Sequence, residues 1–179
     1  MSQATAPDVF IKERSWVRAV KGLYGMGELR DELYGKPRVI DLRSRKYTGG
    51  PQMWNKDIMQ PDDGIMQSLE SHIEYLAPGG KTQQHGHQNS AVFYILDGEG
   101  YEIHDTIKYP WSAGDAAIVH NGCVHQHLNA SKTKPCKMLV VKAKPTYIFF
   151  NLLWQKNVEM PPTAPAEGAE FIPPANDEL

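Results

Sequence analysis

An all-β barrel or sandwich with a helical extension at the N-terminus is the fold that this chain predicts, from three features. Short apolar runs recur at close, regular intervals from residue 71 onward: Ser71–Leu76, Ala91–Leu96, Gly100–His104, Ala116–Val119, Val124–Leu128, Lys137–Lys142 and Tyr147–Leu152. Glycine turns, Asp97-Gly98 and Asn121-Gly122, separate several of them. Four of the seven histidines fall in two alternating pairs, His85/His87 and His125/His127. Residues two apart on a strand project from one face, so each pair aims both imidazoles at the same side of a sheet.

Length supports one core: 179 residues are enough for a single domain and too few for two ordinary ones. With 41% hydrophobic and 22% charged residues the composition is that of a soluble protein. A net charge of −2 gives no reason to expect nucleic acid or a membrane surface as partner. No apolar run approaches the roughly 18 residues that span a bilayer. Residues 1–8 lack the basic and apolar regions of a secretion signal, so a cytoplasmic location is expected. Two cysteines, Cys123 and Cys136, do not make a disulfide framework. Cys123 stands two before His125 and could reach the same face as a ligand, although a small buried side chain is the simpler expectation.

In chain order, Val9–Val20 has apolar positions near helical spacing, with Asp8 as N-cap and Gly22 as stop, and a second short helix is expected over Glu28–Tyr34. Such a pair needs a surface to lie against, the barrel or a second subunit. Arg38–Leu42 reads as a strand, Tyr47–Pro51 as a turn and Asn55–Asp63 as a polar loop. The tail from Met160 holds Pro161, Pro162, Pro165, Pro173 and Pro174, which suits an extended arm or a disordered end. Phe149–Trp154, just before it, is expected in the barrel or at a subunit interface. The expected organisation is an N-terminal helical and extended arm over 1–60, packed on the barrel; a barrel over 61–157; and a Pro-rich tail over 158–179.

Neutral imidazole is the commonest protein ligand for mid-to-late first-row metals, and two His-x-His strands facing each other make a metal site. The spacing of Gly79, His85, His87 and Gly98, followed by Gly114, Gly122, His125 and Asn129, resembles the two consecutive motifs of the cupin superfamily. Cupins are small antiparallel jelly-roll barrels, or double-stranded β-helices, that bind a metal inside. The match covers about residues 65 to 145, leaving the first third and the tail outside it. Ala91 stands where the common pattern has a glutamate ligand, and His120 where the second motif usually has proline. Within the superfamily, the gentisate 1,2-dioxygenase group is similar in having alanine at that place and a His-x-His-x-Asn ending, as His125 to Asn129 does here. Those enzymes usually join two cupin halves in a longer chain, and their substrate-holding arginines have no counterpart here, Phe93 lying two past Ala91.

The resemblance implies metal ligands His85, His87 and His125 and a non-haem Fe(II) centre, with Mn, Ni or Zn as alternatives. Three neutral ligands leave the ion its full charge and open positions for a chelating phenolic or enolic substrate and O2, and hence carbon–carbon bond cleavage. His127, roughly 6.5 to 7 Å further along the strand than His125, is either a fourth ligand or a helper that moves protons, the role favoured by the gentisate group. If strand alternation continues without a bulge, Ala91, Phe93 and Ile95 face the pocket and give a flat substrate an apolar wall. His72 and His104 stand alone on their strands, and His120 is placed near the pocket mouth or in a structural role. A homodimer or higher homo-oligomer is expected, because cupins of this size commonly pair through their sheets. A metal-dependent isomerase or lyase, or a non-catalytic small-molecule-binding cupin, is the alternative.

Overall fold

The computed structural model describes residues 31–32, 34–65, 68–166, 170–173 and 175. The chain divides into two compact units, residues 1–39 and residues 40–179. In the first, positions 31–32 and 34–35 are helical, overlapping the second predicted helix and running one residue past it, while the helix expected over Val9–Val20 lies outside the described residues. Among the described residues no helix is long and apolar enough to cross a membrane.

Among the described residues the second unit has eleven strands: β1 (Tyr47–Gly49), β2 (Met53–Met59), β3 (Glu70–Leu76), β4 (Gln84–His87), β5 (Ala91–Asp97), β6 (Glu99–His104), β7 (Ile107–Ser112), β8 (Ala116–Val119), β9 (Val124–Asn129), β10 (Cys136–Lys142) and β11 (Gln155–Glu159). A short helix, α1 (Lys144–Phe149), separates the last two. Neighbouring strands pair antiparallel in two sheets, ordered β1-β2-β3-β10-β5-β8 and β11-β4-β9-β6-β7. Their inner faces enclose Leu76, Ala91, Phe93, Ile95, Trp111, Val119, Cys136, Met138 and Val140. β5 alternates as predicted, with Ala91, Phe93 and Ile95 inside and Val92 and Tyr94 exposed. Full burial of a side chain such as Phe93 is worth about 1.5–3 kcal/mol.

Four local expectations are corrected. Arg38–Leu42 is not a strand: Asp41 Oδ1 accepts the Arg43 backbone N–H and caps a 3-10 turn over Leu42–Ser44. Tyr47–Gly49, expected as a turn, is β1, and Met53–Met59, expected in part as a polar loop, is β2; the two pair with each other. Lys56 of β2 is fully buried with its ammonium 4.7 Å from the Tyr47 ring centre, so a charged side chain hides a strand. Tyr147–Leu152 is not a strand either. Pro145 sits in the first turn of α1, where a missing N–H costs nothing, and Phe149, Phe150 and Leu152 are left exposed.

Two strands carry no sequence signal. β7 contains Pro110 and β11 is exposed along its whole length; both are sheet edges, where one side of the ladder needs no partner. Beyond β11 the described residues, 160–166, 170–173 and 175, form no helix or strand. The Ala164 carbonyl accepts a hydrogen bond from Gln52 Nε2 at 2.9 Å, and the Phe171 ring packs on Trp54 and Tyr75.

Candidate metal centre

The two histidine pairs lie on neighbouring strands of the second sheet. In the β4–β9 register His85 is opposite His125; in the β9–β6 register His125 is opposite His104 and His127 opposite Glu102. Gly122, at φ +77°, turns the chain before β9, and its N–H donates to the His87 carbonyl, so the turn is tied to the first pair. His127 is fixed through Thr82, whose hydroxyl accepts the His127 N–H while the Thr82 N–H donates to the His127 carbonyl. Asn129, the end of the His-x-His-x-Asn run, is structural. Its amide donates to the carbonyls of Ala77 and Lys134, and its oxygen accepts the Ser131 N–H.

His85, His87 and His125 come together as a buried triad whose candidate ligand nitrogens all lie within 4.8 Å of one another. The donor set suits a metal ion. His87 Nδ1 donates to the Asn89 carbonyl at 2.6 Å and His125 Nδ1 to the Cys123 carbonyl at 3.2 Å, which leaves Nε2 of each ring with its lone pair free. Those two nitrogens and His85 Nδ1 are buried without a hydrogen-bond partner among the described residues, one per ring. Buried polar atoms are rarely left so, since each costs about 1–3 kcal/mol. Burial depresses all three rings, taking His85 down to about 4, with the charge of His127 adding to the effect on His85 and His125. They therefore stay neutral and able to coordinate near neutral pH.

His127 differs from the triad. Its Nδ1 is 2.7 Å from Glu102 Oε1 and 2.6 Å from Oε2, and both residues are buried. Burial works against a charged His127, but the Glu102 carboxylate outweighs it and raises the imidazole above its ordinary value, with Glu74 contributing. Burial likewise opposes ionised Glu102, yet His127 and His104 hold its carboxyl below the usual range. Phe93 closes the other side, its ring centre 4.1 Å from that of His127. Ala91 and Ile95 are buried on the same face of β5.

Sequence reasoning missed three participants. Glu102 has an unremarkable position in β6, and only the register reveals its partner. His104, without a partner in sequence, has its ring centre 6.2 Å from that of His125. Lys142 continues the inward row of Cys136, Met138 and Val140 and lies beside Ala91 in the β10–β5 register; its charge depresses His85 and His87 further. Of the other histidines, His72 is buried 3.9 Å from Glu74, and His120 is exposed at the rim of a cavity. Cys123 stands outside the triad, its thiol raised by burial and donating to the Val124 carbonyl.

Residues 72–142 match the Cupin domain family. The fold is that of a cupin barrel. The cupin fold also appears in the solved structures it resembles. Salicylate 1,2-dioxygenase from Pseudoaminobacter salicylatoxidans, solved with gentisate, superposes with a TM-score of 0.56 at 17% identity, over 82% of this chain and 43% of that one. An uncharacterised double-stranded β-helix protein from Klebsiella pneumoniae gives 0.54 at 17% identity, over 69% of this cupin and 99% of that chain. Among curated proteins, 5-aminosalicylate 1,2-dioxygenase from Comamonas sp is 31% identical over 62 residues, 35% of this chain and 17% of that protein. This cupin thus spans less than half the length of the dioxygenases it is similar to.

Proposed function

We propose that this cupin is a non-haem Fe(II) dioxygenase that cleaves a carbon–carbon bond of a chelating aromatic or enolisable substrate with O2. The observation that carries it is the triad with one unpartnered nitrogen per ring and no carboxylate among its members. Similarity to salicylate and aminosalicylate dioxygenases supports a phenolic substrate. His85, His87 and His125 would hold the ion, which when bound supplies the redox chemistry between substrate and O2. Because the three rings bring no negative charge, the site attracts an anionic chelator, and Lys142 adds to the positive field. Phe93 and its neighbours exclude water from the reacting face. His127, its Nδ1 held by Glu102, takes the part of proton carrier and not of ligand.

The test is metal analysis of the purified protein together with oxygen uptake against a panel of phenolic acids and β-diketones. Stoichiometric uptake with an iron-dependent ring- or chain-cleaved product is expected. A buried Glu–His pair would also serve proton abstraction, so the isomerase or lyase alternative is separated by repeating the assay under nitrogen: turnover there displaces the dioxygenase.

Ala91 offers a second check. It is buried on the inner face where many cupins carry a glutamate ligand. Ala91→Glu is expected to keep metal but lose turnover, because a further ligand fills a position and cancels charge that draws the anion. Metal content and oxygen uptake, measured on one preparation, would show it; undiminished turnover would mean that the vacancy is unused.

A further inference from the structure

A cavity of about 480 Å³ opens between β7 and β8, the free edges of the two sheets. Tyr109, Pro110, Trp111 and Ile118 supply flat and apolar walls, and Glu102 and His104 of β6 line it on the side nearest the triad. Two of these residues carry a buried polar atom without a hydrogen-bond partner among the described residues: Trp111 Nε1, and His104 Nε2, which lies 3.7 Å from Glu102 Oε2. Orphaned groups are uncommon in native interiors, and two around one cavity point to a ligand that satisfies them. Among the described residues the charged members of the lining are Glu102 and Asp115, with no lysine or arginine.

Glu102 links the cavity to the metal centre. Its carboxylate accepts the His127 Nδ1–H, 2.7 Å from Oε1 and 2.6 Å from Oε2, and a carboxylate with two oxygens keeps further lone pairs for a second donor. We infer that this cavity receives the end of the substrate remote from the metal and selects a group that donates a hydrogen bond, a hydroxyl or an amine, while rejecting a carboxylate. A donor at that end meets the Glu102 carboxylate, and a hydroxyl can in turn accept from the neighbouring N–H groups. A carboxylate would face Glu102 and Asp115 with no lysine or arginine among the described lining residues to receive it. Which end enters the cavity rests on the chelate proposed above; the preference for a donor rests on the cavity lining.

The test is anaerobic equilibrium binding, to Fe(II)-loaded and metal-free protein, of four catechols that differ only at ring position 4: ethyl, 2-hydroxyethyl, 2-aminoethyl and carboxymethyl. On the loaded wild type the hydroxyethyl and aminoethyl compounds should bind at least about tenfold tighter than ethyl, the gain of a hydrogen bond to a charged acceptor, and carboxymethyl weakest. Glu102→Gln should collapse the aminoethyl preference and relieve the carboxymethyl penalty. Ala116→Lys, at an exposed position of the lining, should shift the ranking toward carboxymethyl without touching the interior. The wild-type ranking decides even if Glu102→Gln fails to fold. Metal-dependent binding with a flat ranking, or with carboxymethyl tightest, overturns the subsite and leaves the chelate standing. The predicted ranking on metal-free protein supports the subsite and overturns the chelate; no binding of any of the four overturns both.

Discussion

His125→Ala is expected to abolish most metal binding and, with it, activity. His125 is the central member of the triad, its ring centre 4.4 Å from that of His85 and 4.7 Å from that of His87, and it is fully buried. Removing it leaves two imidazoles on one edge of an open site, too few for tight retention of a divalent ion against water. His85→Ala and His87→Ala should behave alike, since each also removes one of the three unpartnered nitrogens. His72→Ala is the control, because His72 is buried beside Glu74 and outside the triad. Metal per folded chain, by atomic emission after dialysis, is the measurement. Full occupancy in a folded His125→Ala protein would sink the assignment. A folded variant is expected, because the lost ring carries a buried nitrogen without a partner that is costly to keep.

How much of this was legible in the sequence depended on whether a feature is local. The histidine pairs are visible because period-two spacing survives in any strand, and the inward row Ala91, Phe93, Ile95 because β5 runs without a bulge through those residues. Glu102 and His104 are not visible. Their meaning comes from lying across β9 from His127 and His125, and cross-strand register is a property of the whole sheet. β2 is hidden by the burial of Lys56, an exception to the alternation on which strand assignment depends. β7 and β11 are hidden because edge strands need little hydrophobicity to pair on one side. In the cupin motifs, Asn129 resembles a site residue but ties loops together, so a motif can preserve architecture as well as chemistry.

His127→Ala is expected to keep the ion and still bind a chelating substrate, yet lose turnover by about 10² to 10⁴, the contribution of a positioned proton-transfer group. The expectation follows from how the ring is held. Its Nδ1 is committed to Glu102, and the three nitrogens that converge as a candidate ligand set belong to other residues. A fourth protein nitrogen on a six-coordinate ion would also leave too few positions for a bidentate substrate and O2 together, so the proposed dioxygenase activity requires the helper role. Glu102→Leu should reproduce much of the loss in kcat with little change in metal content, because His127 would keep its place against Phe93 and its backbone bond to the Thr82 hydroxyl but lose the acceptor that fixes its ring. Metal analysis, anaerobic substrate binding and kcat measured on the same preparations separate the roles. If metal content falls in His127→Ala as far as in His125→Ala, His127 is a ligand, carbon–carbon cleavage with O2 loses its coordination room, and the isomerase or lyase moves ahead.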